Sequence, residues 1–295
     1  MKIKTVLSLV IIWALASFNF NGSAIAQAVD GDDAPLRFGR FEYEGKVWYG
    51  FLSSGGVHQL NRSFFDPDAK RTGEVIPLEK VRLLAPVVPQ KVIGIAWNYK
   101  SHNGSATRFK NNDLKFFSKL PSSVIASGEE IIPPIGSTSL HYEGEMVIVI
   151  GARAKNVSVK KADDYIFGVT AGNDVTERGF PFSPFDVLRS KGSDTMAPLG
   201  PWIVPGLSYD KLTLVTKLNG KVVQKTSTRK MVFSVRKIVS ILSRYITLEP
   251  GDVIYTGTAG TTGAMKYGDK VEVLLEGVGI LENTIGKTVG KSAGE

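Results

Sequence analysis

Glu143 and Glu145 stand two residues apart in His141-Tyr142-Glu143-Gly144-Glu145, directly before the apolar run Met146-Val147-Ile148-Val149-Ile150-Gly151. A β-branched run closing on glycine reads as a buried strand, and residues i and i+2 of a strand project from the same face. Both carboxylates therefore point the same way. Two carboxylates that close repel, so either one stays protonated or a cation compensates them. A hard divalent ion, Mg2+ first and Mn2+ or Ca2+ next, prefers such oxygen ligands. The chain has no cysteine and its histidines are His58, His102 and His141, which argues against a zinc cage. Taken alone, Glu-x-Glu is equally a solvated strand face.

A second acidic candidate follows the apolar stretch Tyr165 to Thr170, where Ala171-Gly172-Asn173-Asp174-Val175-Thr176-Glu177-Arg178 places an acid and a base at a strand exit. Asp174 is a natural third oxygen ligand, although Asn-Asp after a strand also serves as a plain turn. Other strand ends carry polar groups. Ile95-Ala96-Trp97-Asn98-Tyr99-Lys100-Ser101-His102 runs from an apolar stretch into a polar loop, and Gly251-Asp252-Val253-Ile254-Tyr255-Thr256-Gly257-Thr258 ends in hydroxyl residues.

The elements that must position these groups are mostly strands. Val92 to Ala96, Met146 to Ile150, Tyr165 to Thr170, Leu212 to Leu218, Asp252 to Thr256 and Lys270 to Leu275 are separated by Gly- and Pro-rich turns. Arg37 to Leu52 predicts a hairpin turning at Glu44-Gly45. One helix is expected over Ser234 to Tyr245, where Val235, Ile238, Val239, Leu242 and Tyr245 recur at helical spacing behind a Ser234 cap. Strands with so few helices favour a mainly β, α+β roll over a doubly wound sheet.

At 295 residues and 43% hydrophobic content the chain can bury a full core. Lys2 and Lys4, an apolar stretch from Val6 to about Phe18 and then Ser23-Ala24-Ile25-Ala26 have the form of a signal peptide. Cleavage after Ala26 and export, to a periplasm or the medium, with no stable membrane anchor, are the expectation. The formal charge is +8, and since residues 1–26 hold two lysines and no acid, +6 remains beyond them. The excess is spread, with no dense Lys/Arg stripe. It suits steering of a small organic anion and gives no sign of a nucleic-acid partner.

The ordered motifs resemble a known family. Asn98-Tyr99-x-x-His102, Phe117-x-Lys119-x-x-Ser122-Ser123, Tyr142-Glu143-x-Glu145, Asn173-Asp174-Val175-x-x-Arg178, Lys191-x-x-Asp194, Leu199-Gly200-Pro201-Trp202 and Gly251-Asp252-x-Ile254-x-Thr256-Gly257-Thr258 are similar to those of the fumarylacetoacetate hydrolase family, over roughly Val92 to Ile285. The resemblance implies a catalytic mixed β-sandwich roll over about 91–290, a small N-terminal β domain over about 30–89 and a homodimer. It further implies a divalent ion on Glu143, Glu145 and Asp174, most simply Mg2+, and a small anionic 2-oxo acid or β-dicarbonyl substrate. In that frame His102 is the general base and Lys191 stabilises enolate or oxyanion charge, while Arg178, Lys119 and Thr258 contact the substrate. The leading expectation is metal-dependent hydrolytic C–C cleavage. Isomerisation, hydration or decarboxylation of unsaturated 2-oxo acids, and a non-catalytic exported binder, are the alternatives.

The match breaks at three places. Many hydrolytic or decarboxylating relatives place Glu three residues after the histidine, where this chain has Ser105, so Glu129 or Glu130 would have to replace it. Pro181 replaces a frequent glutamine, and Ala259 follows Thr256-Gly257-Thr258 where proline is usual.

Overall fold

The strand Gly144–Ile150 is buried along all seven residues and organises the structure. Its apolar run lacks the polar alternation of a one-sided strand and is buried on both faces. It pairs antiparallel with Ile166–Asn173 on one side and with Val253–Tyr255 on the other. Val92–Ile95 lies parallel to Val253–Tyr255, and Phe116–Lys119 follows at that end of the sheet. These contacts come from a computed structural model that describes residues 35–102, 113–181, 183 and 186–288. The expected signal segment and Ser105 lie outside the described residues.

The N-terminal hairpin forms as the sequence predicts, with Arg37–Tyr43 paired to Lys46–Ser53. Glu44 and Gly45 both adopt positive φ, +50° and +72°, the backbone that a two-residue hairpin turn requires. Gly56–Leu60 and Arg71–Ile76 extend this meander. Phe38 then pairs with Ile203 of the strand Ala197–Val204, so the meander and the central strands form one continuous sheet.

A second sheet of five strands among the described residues runs in the order Lys221–Ser227, Thr213–Leu218, Lys270–Leu275, Gly279–Ile285, Glu130–Ile131. One apolar core joins the two layers, with Met146, Ile148 and Val169 of the first packed with Leu214, Val273 and Leu281 of the second. The helix Val235–Tyr245 closes this core through Val235, Ile238, Val239 and Leu242, and Ser234 Oγ accepts the Lys237 N–H as its cap. The chain is thus a mainly β, α+β roll with a small N-terminal β region.

Strand alternation does more than align the two glutamates. Gly144, between them, faces the second sheet, and a Cβ placed there would lie 2.0 Å from Thr216 Oγ1. Glycine alone admits that approach. Gln224 of the second sheet uses it, accepting the Gly144 N–H at 3.2 Å and donating to Thr258 Oγ1 at 3.0 Å and Ala259 O at 2.7 Å. Gly144→Ala must displace the Thr216 side chain or push the two sheets apart and should destabilise the protein by about 1–3 kcal/mol, as overpacking does. Urea unfolding measures it; a midpoint unchanged from the parent would show that the sheets are not held this closely.

Candidate metal centre

Asp174 reaches the glutamates because the neighbouring strand end is tied to Glu143. The Glu143 N–H donates to Asn173 Oδ1 at 2.9 Å, and the Asp174 N–H donates to Glu143 O at 2.8 Å. Glu143, Glu145 and Asp174 are 4%, 1% and 2% exposed, and each offers an oxygen within 4.8 Å of the others. The structure brings together all three residues expected to hold the ion.

Three cations converge on them from separate segments. Lys191, in the short helix Val187–Lys191, donates to Glu143 Oε2 at 3.0 Å, Asp174 Oδ2 at 2.5 Å and Thr176 Oγ1 at 2.8 Å. Lys119, closing the strand Phe116–Lys119, donates to Asp174 Oδ1 at 2.5 Å and Val175 O at 3.3 Å. Arg178 Nη2 donates to Glu143 Oε1. Glu145 differs from its neighbours, since its Oε2 accepts the Gly257 N–H at 2.6 Å and, among the described residues, no cation touches it.

The protonation preferences follow this division. Burial, with the charges of Asp174 and Glu143 added to it, pushes Glu145 well above the ordinary carboxylic range. Burial would raise Asp174 too, but the ammonium groups of Lys119 and Lys191 outweigh it and hold that carboxyl low. Burial lowers Lys119, whereas on Lys191 the pull of Asp174 and Glu143 overcomes burial and raises it. A buried acid with one N–H donor and no cation is the group a hard cation would relieve. The donor set is all oxygen, which fits Mg2+, Mn2+ or Ca2+.

His102, 5% exposed, lies on a segment pinned beside this cluster. Asn98 donates to Thr256 O at 2.8 Å and Phe233 O at 3.1 Å and accepts the Phe233 N–H at 2.7 Å. Ser101 Oγ accepts the Gly260 N–H, and His102 Nδ1 lies 2.8 Å from Gly260 O. A carbonyl only accepts, so Nδ1 carries a proton and the basic lone pair of the neutral ring is on Nε2. Gly260 follows by three residues the Gly257 that caps Glu145, so His102 and the cluster are tied to one loop.

The structure places Thr258 in a brace, donating to Gly144 O at 3.0 Å while accepting from Gln224. Glu129 is occupied by the Ala126 N–H and by Arg82 at 3.6 Å, and Glu130 lies on the edge strand of the second sheet. Sequence reasoning left Asn98, Thr176, Gly257 and Gln224 without roles. Asn98 stood inside a quoted motif, but nothing local marks Gln224, whose partner Gly144 is 80 residues away.

The family described as "Fumarylacetoacetate (FAA) hydrolase C-terminal" matches residues 91–286, and one described as "Rv2993c-like, N-terminal" matches 36–86. The chain is 37% identical over 231 residues to the fumarylacetoacetate hydrolase domain-containing protein 2 homolog of Dictyostelium discoideum, covering 71% of this chain and 76% of that protein. It is 32% identical over 268 residues to the mitochondrial oxaloacetate tautomerase FAHD2A of Homo sapiens, covering 79% and 85%. The crystal structure of 2-hydroxyhepta-2,4-diene-1,7-dioate isomerase from Mycobacterium marinum superposes with a TM-score of 0.79 at 34% identity, covering 86% of this chain and all of that one.

The electrostatics of Glu145 set a test that needs no substrate. Because its folded pKa lies above the unfolded value, the metal-free fold binds a proton that the unfolded chain releases. The stability tied to that proton is complete below the unfolded pKa, near ~4.3, and is lost as pH rises through the raised folded value. Glu145→Gln removes this loss and keeps an oxygen for the Gly257 N–H. Metal-free Glu145→Gln should therefore melt above the metal-free parent at about pH 7.5, while Mn2+ at about 100 times its Kd should stabilise the parent by about 2.7 kcal/mol and leave the variant unmoved. Calorimetric melts decide it; a parent insensitive to Mn2+ and Mg2+ would sink the metal assignment.

Proposed function

Because the chain belongs to the fumarylacetoacetate hydrolase family, we propose that it is a divalent-metal-dependent enzyme interconverting keto and enol forms of a dianionic 2-oxo acid of the oxaloacetate kind. The observation that carries this reading is the charge balance of the site. Three buried carboxylates face three cationic side chains, Lys119, Lys191 and Arg178. The two sets cancel, so a divalent ion would leave two positive charges for a dianion to neutralise.

Glu143, Glu145 and Asp174 would hold the ion, which when bound supplies Lewis acidity to the 2-oxo group and so acidifies the adjacent C3 hydrogens. His102 takes a C3 proton at Nε2. Lys191, fixed by three oxygens and bonded to both Glu143 and Asp174, stabilises the negative charge that develops on the enolate oxygen. Arg178 and Lys119 orient carboxylate groups of the substrate. A surface cleft of about 440 Å³ beside His102, lined by Lys100, Ser101, Arg229, Lys230, Met231 and Val232, carries three further cations that suit the approach of an anion.

Keto–enol proton transfer needs a base and a stabilised enolate, roles that His102 and Lys191 would fill. Hydrolytic C–C cleavage also needs an activated water, and the residue that many hydrolytic relatives use beside the histidine is Ser105 in this chain. The names of the human tautomerase and the mycobacterial isomerase support the same choice over the hydrolase expected first.

The test follows enol-oxaloacetate decay by absorbance and C3 deuterium exchange by NMR, with Mg2+ or Mn2+, before and after chelation. Chelation, Glu145→Ala and His102→Ala should each lower the rate about 100-fold or more, as loss of a general base does. Acylpyruvate cleavage without C3 exchange would return the assignment to a hydrolase, and turnover that survives both chelation and Glu145→Ala would remove the metal from the reaction.

A further inference from the structure

We infer that Thr262 and His141, which neither ligate the ion nor act as the base, are positioning residues that fix Arg178 and thereby set the enzyme's preference for a substrate with a second carboxylate. The inference rests on the 2-oxo acid reading above.

Arg178 is held on two sides. Its Nη2 donates to Glu143 Oε1, and its Nε donates to Thr262 Oγ1 at 3.2 Å. The same Thr262 oxygen lies 3.0 Å from His141 Nδ1, and His141 Nε2 lies 3.0 Å from Ser139 Oγ. A guanidinium N–H only donates, so Thr262 Oγ1 accepts from Arg178, and its remaining hydrogen-bonding capacity meets His141 Nδ1. His141 is held in turn by Ser139 Oγ at its other nitrogen, so Arg178, Thr262, His141 and Ser139 form one continuous chain of contacts.

The backbone beneath the relay is fixed as well. Leu140 and His141 pair with Glu177 and Thr176, His141 bridges to Ala264, and the Arg178 N–H donates to Ser139 O at 2.9 Å. Glu177, 1% exposed, clamps the two sides by accepting from Ser137 Oγ, from the Ser139 N–H at 2.9 Å and from the Gly179 N–H at 2.6 Å. The three segments that carry Arg178, His141 and Thr262 therefore hold a common frame.

The consequence is a half-occupied guanidinium. Nε and Nη2 are engaged, Nη1 has no hydrogen-bond partner among the described residues, and the Arg178 side chain remains 32% exposed. A loose arginine must lose rotamer freedom on meeting an anion. Here the relay has already removed that freedom, so the remaining donor is preorganised for a carboxylate.

The test compares full-length parent, Thr262→Val, Thr262→Ser and His141→Phe, all loaded with Mn2+. It measures kcat and KM for oxaloacetate tautomerisation, KM for C3 exchange of 2-oxobutyrate, which lacks the second carboxylate, Mn2+ affinity and Tm. Thr262→Val should raise KM for oxaloacetate about tenfold or more, the loss expected when a hydrogen bond to a charged group is removed. Its kcat, Mn2+ affinity and KM for 2-oxobutyrate should stay within about twofold of the parent. Thr262→Ser should restore the parent KM, and His141→Phe should repeat the Thr262→Val effect without adding to it in the double variant. An unchanged KM in Thr262→Val, or an equal rise for both substrates, overturns the inference while leaving the tautomerase reading intact. A parent that exchanges C3 of neither substrate overturns both.

Discussion

Three carboxylates with oxygens within 4.8 Å of one another in the interior are the constraint that the rest of the molecule accommodates. Two like charges about 4 Å apart in a medium of effective dielectric about 20 repel by about 4 kcal/mol. No single neighbour offsets three such pairs. Lys119, Lys191 and Arg178 come from a strand end, a short helix and a strand-exit loop, and together they occupy all four oxygens of Glu143 and Asp174. Glu145 has no such direct partner among the described residues. The site is therefore asymmetric, with two carboxylates bonded to lysine and arginine and a third that could take a divalent cation.

The roll makes this arrangement possible because a strand separates its faces residue by residue. Glu143 and Glu145 project to one side, and Gly144 lets the second sheet approach on the other. Gln224 then seals that approach by joining Gly144 to Thr258 and Ala259. Close sheet packing keeps water from the back of the cluster, which strengthens the repulsion among the carboxylates and the grip of the lysines together. Packing and electrostatics are one problem at this site. A wider gap between the sheets would lower the repulsion and also weaken the demand for an ion.

Where structure was legible in the sequence, the signal was local. The hairpin at Glu44-Gly45, the strands around Met146 to Ile150 and Lys270 to Leu275, and the helix behind Ser234 each rest on a periodicity or turn within a dozen residues. The strand Ala197–Val204 was not legible, since Pro198 and Pro201 argue against a place inside a sheet. It is accommodated by a register shift, in which Val204 pairs with Val169 but Gly200 pairs with Ala171, so Pro201 to Ile203 bulge from the ladder on that side. The site divides in the same way. Glu143, Glu145, Asp174 and Lys191 were visible as ordered motifs, and the fold brings them together. Gln224, and the link from Arg178 to Thr262 across 84 residues, depend on tertiary contacts that no local pattern records.

That division also explains why this chain keeps one part of the family pattern and departs from another. Glu143, Asp174, Lys119 and Lys191 are mutually dependent, because removing any one of them leaves a buried partner uncompensated, a loss of about 3–5 kcal/mol in such settings. Substitution there is opposed by stability before function is considered. Positions 105, 181 and 259 hold Ser, Pro and Ala in place of the usual residues, and Ala259 shows what such a place can retain. Its carbonyl still accepts from Gln224, a contact the backbone provides whatever side chain stands there. The bond from His102 Nδ1 to Gly260 O is of the same kind. The orientation of the His102 ring thus rests partly on backbone geometry, which leaves the surrounding side chains free to change while the buried charges stay as they are.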